Sequence, residues 1–182
     1  DNEEGGLLAA EFAKKFLGNK SKVVILGGFP SLMTIPGRIT AFEKRIRDLF
    51  PKIEMTEFTA DYEREKAMMV AEDNLNVFAN SNVLYCANDH MALGVLDVFD
   101  RYKIKKRPHI IGYDSILEAQ QAIIGGRMDA SVIQFPSQMG REAVRAVIAL
   151  HKGEFVPQKI VIKPELSIRK QYVESIKLQD MK

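Results

Sequence analysis

The sequence predicts an α/β fold in which a mainly parallel sheet is covered by helices on both faces. Three observations carry this expectation. Short apolar runs alternate with amphipathic segments of helical period as far as Lys152. The runs are rich in Val, Ile and Leu, as strands buried on both faces are. No hairpin signal joins one run to the next, and parallel neighbours need helical crossovers.

The elements follow in order. In "GGLLAAEFAKKFLG", Leu8, Phe12 and Phe16 recur at four-residue intervals and Gly18 closes the run, which predicts a helix. "KVVILGG" is a β-branched run ended by glycines and predicts a buried strand. "GRITAFEKRIRDLF" sets Ile39, Phe42, Ile46 and Leu49 at helical spacing, and Pro51 stops it. "KIEMTEF" alternates at Ile53 and Met55 and predicts a strand. One helix is expected over "YEREKAMMVAEDNLNVFAN", with Met68, Ala71, Leu75 and Phe78 on one face. "VLYCA", "HIIGY" and "ASVIQ" predict strands. "HMALGVLDVFDRYK", "SILEAQQAIIGG" and "SQMGREAVRAVIALHKG" predict helices, the last with a glycine just past its end. Beyond Lys152, "FVPQKIVIKPELSIRK" reads as two extended segments broken by Pro164, followed by a polar tail.

With 182 residues, 46% of them hydrophobic, the chain can bury one sizeable core. A net charge of +2, with both signs intermixed, gives no nucleic-acid footprint and no basic membrane face. No apolar run approaches the roughly 20 residues of a membrane span. The single cysteine, Cys86, excludes an internal disulfide and a cysteine-based metal site. The opening "DNEEGGLLAAEF" has no initiator Met, basic region or apolar leader, and reads as an interior piece or a processed product.

Ligands of open parallel sheets bind beyond the carboxyl ends of the strands. The candidates there are Gly27-Gly28-Phe29-Pro30, Thr59-Ala60-Asp61-Tyr62, Asn88-Asp89, Tyr113-Asp114 and Gln134-Phe135-Pro136. Asn and Gln offer donors and acceptors, and Asp accepts hydroxyl protons, which suits a neutral polar ligand. Asp89 stands where a helix N-cap is expected, and Asn88, left over the sheet edge, serves either the turn or a ligand.

Enzyme motifs are missing. "GNKSK" lacks the first glycine of a phosphate loop and precedes a strand, and neither GxGxxG after a strand nor GxSxG occurs. His90, His109 and His151 fall in separate elements, so surface or structural roles are expected for them. Cys86 lies in an apolar strand as a small hydrophobe. Asp61 and Asp114 form an acid–base pair only if the fold brings them together. No catalytic residue, cofactor or metal site is expected.

"VLYCANDHMALGVLDVF" and "HIIGYDSILEAQQAIIGGRMDASVIQFPSQMGREAV" resemble type I periplasmic sugar-binding proteins of the ribose-binding kind. The shared features are AND-x-MALG, a strand ending in GYD, the segment "GRMDASVIQFPSQMG", and "GRITAF" as an Arg-x-x-x-Phe helix. The resemblance runs from Asp1 to Lys170. It implies one lobe of a two-lobed, Rossmann-like α/β/α fold that closes on a sugar like a hinged trap. Residues 1–135 would form the C-terminal ligand-binding lobe, 136–166 would complete a missing N-terminal lobe, and 167–182 would be the return crossover and tail. By the same resemblance, Asn88, Asp114 and Gln134 match sugar-hydroxyl ligands and Tyr62 an aromatic that stacks on the sugar. The family's ligand arginine falls on Pro36, and Arg38 matches a structural arginine, so sugar recognition is expected to be weakened or redirected.

The resemblance implies a non-enzymatic solute-binding component of an ABC-type sugar uptake system, or an extracytoplasmic sensor. Its partners would be a sugar or polyol and a membrane permease or sensor kinase. The effector-binding domain of a lactose-repressor-type regulator, which would be cytoplasmic, is the alternative. An enzyme on a doubly wound sheet is the third reading. Without the other lobe, the apolar faces of "AVRAVIAL" and "KIVIK" are expected to drive self-association.

Overall fold

The computed structural model describes residues 1–29 and 36–169. Pro30, the side chain of Pro36 and the tail from Lys170 onward lie outside the described residues. Six strands form one sheet in the order β2-β1-β3-β4-β5-β6. These are β1 (Lys22–Gly27), β2 (Glu54–Thr59), β3 (Val83–Cys86), β4 (His109–Asp114), β5 (Ala130–Ile133) and β6 (Glu165–Ile168). The first five are parallel, and β6 runs antiparallel to β5 at the edge. The expected mainly parallel α/β fold is the observed one.

Alternation along each strand divides the core into two layers. Val23, Ile25, Val83, Tyr85, Ile111, Tyr113, Ala130 and Val132 face α1 (Asn2–Ala13) and α2 (Pro36–Leu49). Val24, Leu26, Leu84, Cys86 and Ile110 face α3 (Arg64–Asp73), α4 (Leu75–Ala79), α5 (Asp89–Arg101) and α6 (Leu117–Ile124). Burial on both faces is why the central strands read as unbroken apolar runs.

Two elements differ from expectation. The residues that α1 buries are Gly5, Gly6, Ala9, Ala10, Phe12 and Ala13, and Leu8 and Phe16 are only half-buried. Small residues let α1 approach α2: a Cβ on Gly6 would lie 2.3 Å from the Arg38 carbonyl oxygen. The single helix expected over 62–80 is two, separated at Asn74, whose side-chain amide donates to the Val70 carbonyl at 2.9 Å. That bond offers the backbone an alternative to continuing the helix.

The last long helix, α7 (Pro136–His151), has no buried residue, and Val144, Val147, Ile148 and Leu150 are at least half exposed. Of the two extended segments expected after it, only the second is a strand among the described residues. That strand, β6, contains the division drawn at residue 166.

Candidate functional site

The carboxyl ends of β1 to β5 emerge on one side of the sheet, and the strand order reverses between β1 and β3. A crevice opens at such a switch point because the connections on either side diverge. All four side chains singled out from the sequence follow these strand ends.

Tyr62 lies in the turn after β2, where Asp61 and Tyr62 both have positive φ, 51° and 64°. Its half-buried ring covers Gly28 after β1, where a Cβ would sit 1.9 Å from the ring. Glycine is needed here because the aromatic rests on bare backbone. Asp61 is ion-paired with Lys66 at 2.8 Å, and its partner is that lysine and not Asp114.

The capping assignment is the reverse of expectation. Asn88 is the N-cap of α5: its Oδ1 accepts from the Met91 amide at 2.9 Å. Its Nδ2 donates to the Tyr62 carbonyl at 3.0 Å. An amide oxygen has two lone pairs and the nitrogen two protons, so one of each remains for a ligand. Asp89, one residue later, is fully buried and turns inward. It accepts from Ser131 Oγ at 2.7 Å and from the Ile116 amide at 2.9 Å. Adjacent residues at a helix start point in different directions, and spacing alone does not say which one reaches back to the third amide.

Asp114 ends β4 with φ of 101° and accepts a hydrogen bond from Gln134 Nε2, beyond β5. Burial lifts its carboxyl above the usual carboxylate range, against the opposing pull of Arg38, Gln134 and His90. His90 is exposed on the first turn of α5, so its surface position agrees with expectation.

Arg38 is the residue that the sequence reading placed outside the ligand set. It is 7% exposed, and its guanidinium lies 3.7 Å from the centre of the Tyr113 ring. Nε donates to Asn2 Oδ1 at 2.9 Å, and Nη1 donates to the Ala87 carbonyl at 2.7 Å and stands 3.4 Å from Asp114 Oδ1. Its structural role is therefore real, and it also carries a planar donor fork to the edge of Asp114. Arg38 thus brings a guanidinium to the edge of Asp114 two residues after Pro36, where the resemblance places the ligand arginine. The sign available in the sequence was the Arg38-x-x-x-Phe42 spacing, which puts Arg38 on the same face of α2 as buried Phe42.

The cleft thus gathers amide, carboxylate, guanidinium and aromatic groups along one open wall. Among the described residues no group of three or more His, Cys, Asp or Glu side chains could hold a metal ion. Cys86, beneath the wall, is fully buried, and burial pushes its thiol well up, which keeps it protonated. A separate hollow of about 620 Å³ lies at the opposite end of the sheet, with Lys103, Arg107, Arg127 and Arg169 in its lining.

Residues 1–155 match the periplasmic binding protein domain. The chain is 30% identical over 162 residues to the ribose import binding protein of Haemophilus influenzae, covering 89% of this chain and 54% of that protein. It is 33% identical over 99 residues to the D-allose-binding periplasmic protein of Escherichia coli, covering 54% of this chain and 32% of the other. An ABC transporter periplasmic solute binding protein from Actinobacillus succinogenes, solved with bound D-allose, superposes with a TM-score of 0.85 at 25% identity. That superposition covers 96% of this chain and 61% of the solved one. The chain spans about half the length of the curated relative from Haemophilus influenzae. With its sheet order, its open wall at the strand ends and these matches, the chain belongs to the periplasmic binding protein family.

Proposed function

We propose that the chain is one lobe of a binding protein that takes up a small sugar or polyol outside the cytoplasm and delivers it to an ABC-type permease. The observation that carries this reading is that Arg38 and Gln134 both reach Asp114 while Asn88 holds the Tyr62 carbonyl, all at the carboxyl ends of one sheet. A sugar presents hydroxyls at its edge and apolar C–H faces above and below. Asp114 and the free functions of Asn88 and Gln134 suit the hydroxyls, and Arg38 adds charge-assisted donors. Tyr62, over Gly28, offers the apolar face. Each role is residue-specific, and none involves covalent chemistry.

The wall is one-sided, so the facing side of the cleft would come from a second lobe. The apolar stripe of α7 suits contact with that lobe, since none of its residues is buried here. Named functions of similar proteins support ribose, allose or a related sugar as ligand. The uptake reading is favoured over the repressor alternative because the relatives are import and periplasmic binding proteins.

The test is thermal unfolding of the full-length protein against a panel of sugars and polyols. A true ligand at a hundredfold excess over its Kd stabilises by about 2.7 kcal/mol. That gain should disappear in Asp114→Ala and shrink in Arg38→Lys, which loses the planar fork. A gain that survives both substitutions would place the ligand elsewhere.

A further inference from the structure

We propose that Asp89 is a positioning residue of this cleft: its buried carboxylate holds the Asp114–Ser115–Ile116 turn and the end of β5 in the geometry that presents Asp114 and Gln134 to the ligand. The proposal rests on the reading of the cleft as a sugar site.

Four observations converge on it. First, Asp114 and Ser115 have φ of 101° and 54°. Non-glycine residues hold such values only where their surroundings enforce them. Second, Asp89 ties this turn to β5, beside the bonds that Gln120 makes to Ser115 and Gln134 to Asp114. Asp89 Oδ2 accepts from the Ile116 amide at 2.9 Å and its Oδ1 from Ser131 Oγ at 2.7 Å. Ser131 Oγ in turn accepts from the Ser115 amide at 3.0 Å.

Third, the strand beside it is cut away to admit the carboxylate. A Cβ on Gly112 would lie 2.1 Å from Asp89 Oδ1 and 2.4 Å from Met128 Cε. Fourth, burial pushes the Asp89 carboxyl up to about 7 in spite of its hydrogen bonds. The fold therefore keeps an acid where its charge is disfavoured.

The chain order then assigns the consequence. Asp89 follows the cap Asn88, Ile116 lies two residues after Asp114, and Ser131 lies three before Gln134. One carboxylate therefore ties together three strand ends that each carry a candidate ligand group.

The test compares Asp89→Ala with Asp89→Asn in the complete protein. Titration calorimetry with D-ribose and D-allose reads affinity, and amide hydrogen exchange without sugar reads the turn. Asp89→Ala should weaken binding about tenfold and speed exchange at Ile116 by a similar factor. Asp89→Asn can still accept from the Ile116 amide and donate to Ser131 Oγ, so it should restore both to within about threefold. Ser131→Ala, a milder change that leaves the Ile116 bond in place, should speed exchange at Ser115 and weaken binding by a smaller factor. It decides the matter if Asp89→Ala does not fold. Affinity unchanged in Asp89→Ala, or exchange at Ile116 unchanged, would overturn the proposal. If the unmodified protein binds neither sugar, the sugar reading loses its support. The exchange rates at Ile116 and Ser115 then decide the tether by themselves, accelerated rates upholding it and unchanged rates removing it.

Discussion

Asn88 caps α5 through its Oδ1 and at the same time holds the Tyr62 carbonyl through its Nδ2, so one amide links the turns that follow β2 and β3. The bond bridges the switch point of the sheet. It also supports a turn in which Tyr62 has a φ of 64°. The two ends of the amide can be separated by substitution. Asn88→Asp keeps an acceptor for the Met91 amide but loses the donor to Tyr62. Asn88→Ala loses both and should cost about 1–2 kcal/mol, most of it from the cap. Urea unfolding should place Asp between the native protein and Ala. An Ala variant as stable as the native protein would show that the cap is dispensable.

Gly94 shows how the fold behind Tyr62 is packed. A Cβ there would lie 2.4 Å from the Arg64 carbonyl oxygen and 3.1 Å from Ala67 Cβ. Alanine is a better helix former by about 1 kcal/mol, but overlap with backbone costs about 1–3 kcal/mol. Gly94→Ala should therefore lower stability and push α3, which begins two residues after Tyr62, away from α5. A raised unfolding midpoint would mean that the two helices separate at no cost.

Asp89 predicts a pH dependence. Its carboxyl is raised from 3.8 to about 7 in the folded protein, chiefly by burial. The folded state then binds more protons than the unfolded one between those values. Its contribution is fully present below the unfolded value and is lost as pH rises through about 7. The loss is on the order of 4 kcal/mol. Asp89→Asn cannot ionise, so its stability relative to the native protein should rise between pH 5 and pH 8. Urea melts at the two pH values check this, and a constant gap would show that Asp89 does not titrate in that window.

The stripe Val144, Val147 and Ile148 on α7 predicts that this chain on its own associates with itself at high concentration. Val144→Lys with Val147→Lys should return it to monomer without lowering the unfolding midpoint, since neither side chain is buried. Sedimentation velocity over a concentration series reads the outcome. A monomer at every concentration for the unmodified chain would remove the prediction.

Much of the fold was legible because period reports burial. The runs at Val23, Val83 and Ile110 are short and bounded by turn residues, which marks them as strands covered on both faces, and the spacing of Phe42 and Ile46 marks a helix on one of them. The break at Asn74 was not legible, because a side-chain bond to Val70 competes there with a helical period that continues on both sides.

The sequence by itself determined the α/β layers and the strand ends where the polar groups emerge, and its resemblance to sugar-binding proteins narrowed those groups to Tyr62, Asn88, Asp114 and Gln134. The layers and the strand ends follow from local pattern and from where a parallel sheet leaves its carboxyl ends open. Only the tertiary structure decided that Asn88 rather than Asp89 caps α5, that Arg38 reaches Asp114, and that Asp89 ties Ile116 to Ser131. Those facts rest on which way a side chain turns and on partners from 27 to 76 residues away in the chain. Hydrogen bonds at that range are set by how the layers close on one another, and no spacing along the chain records them.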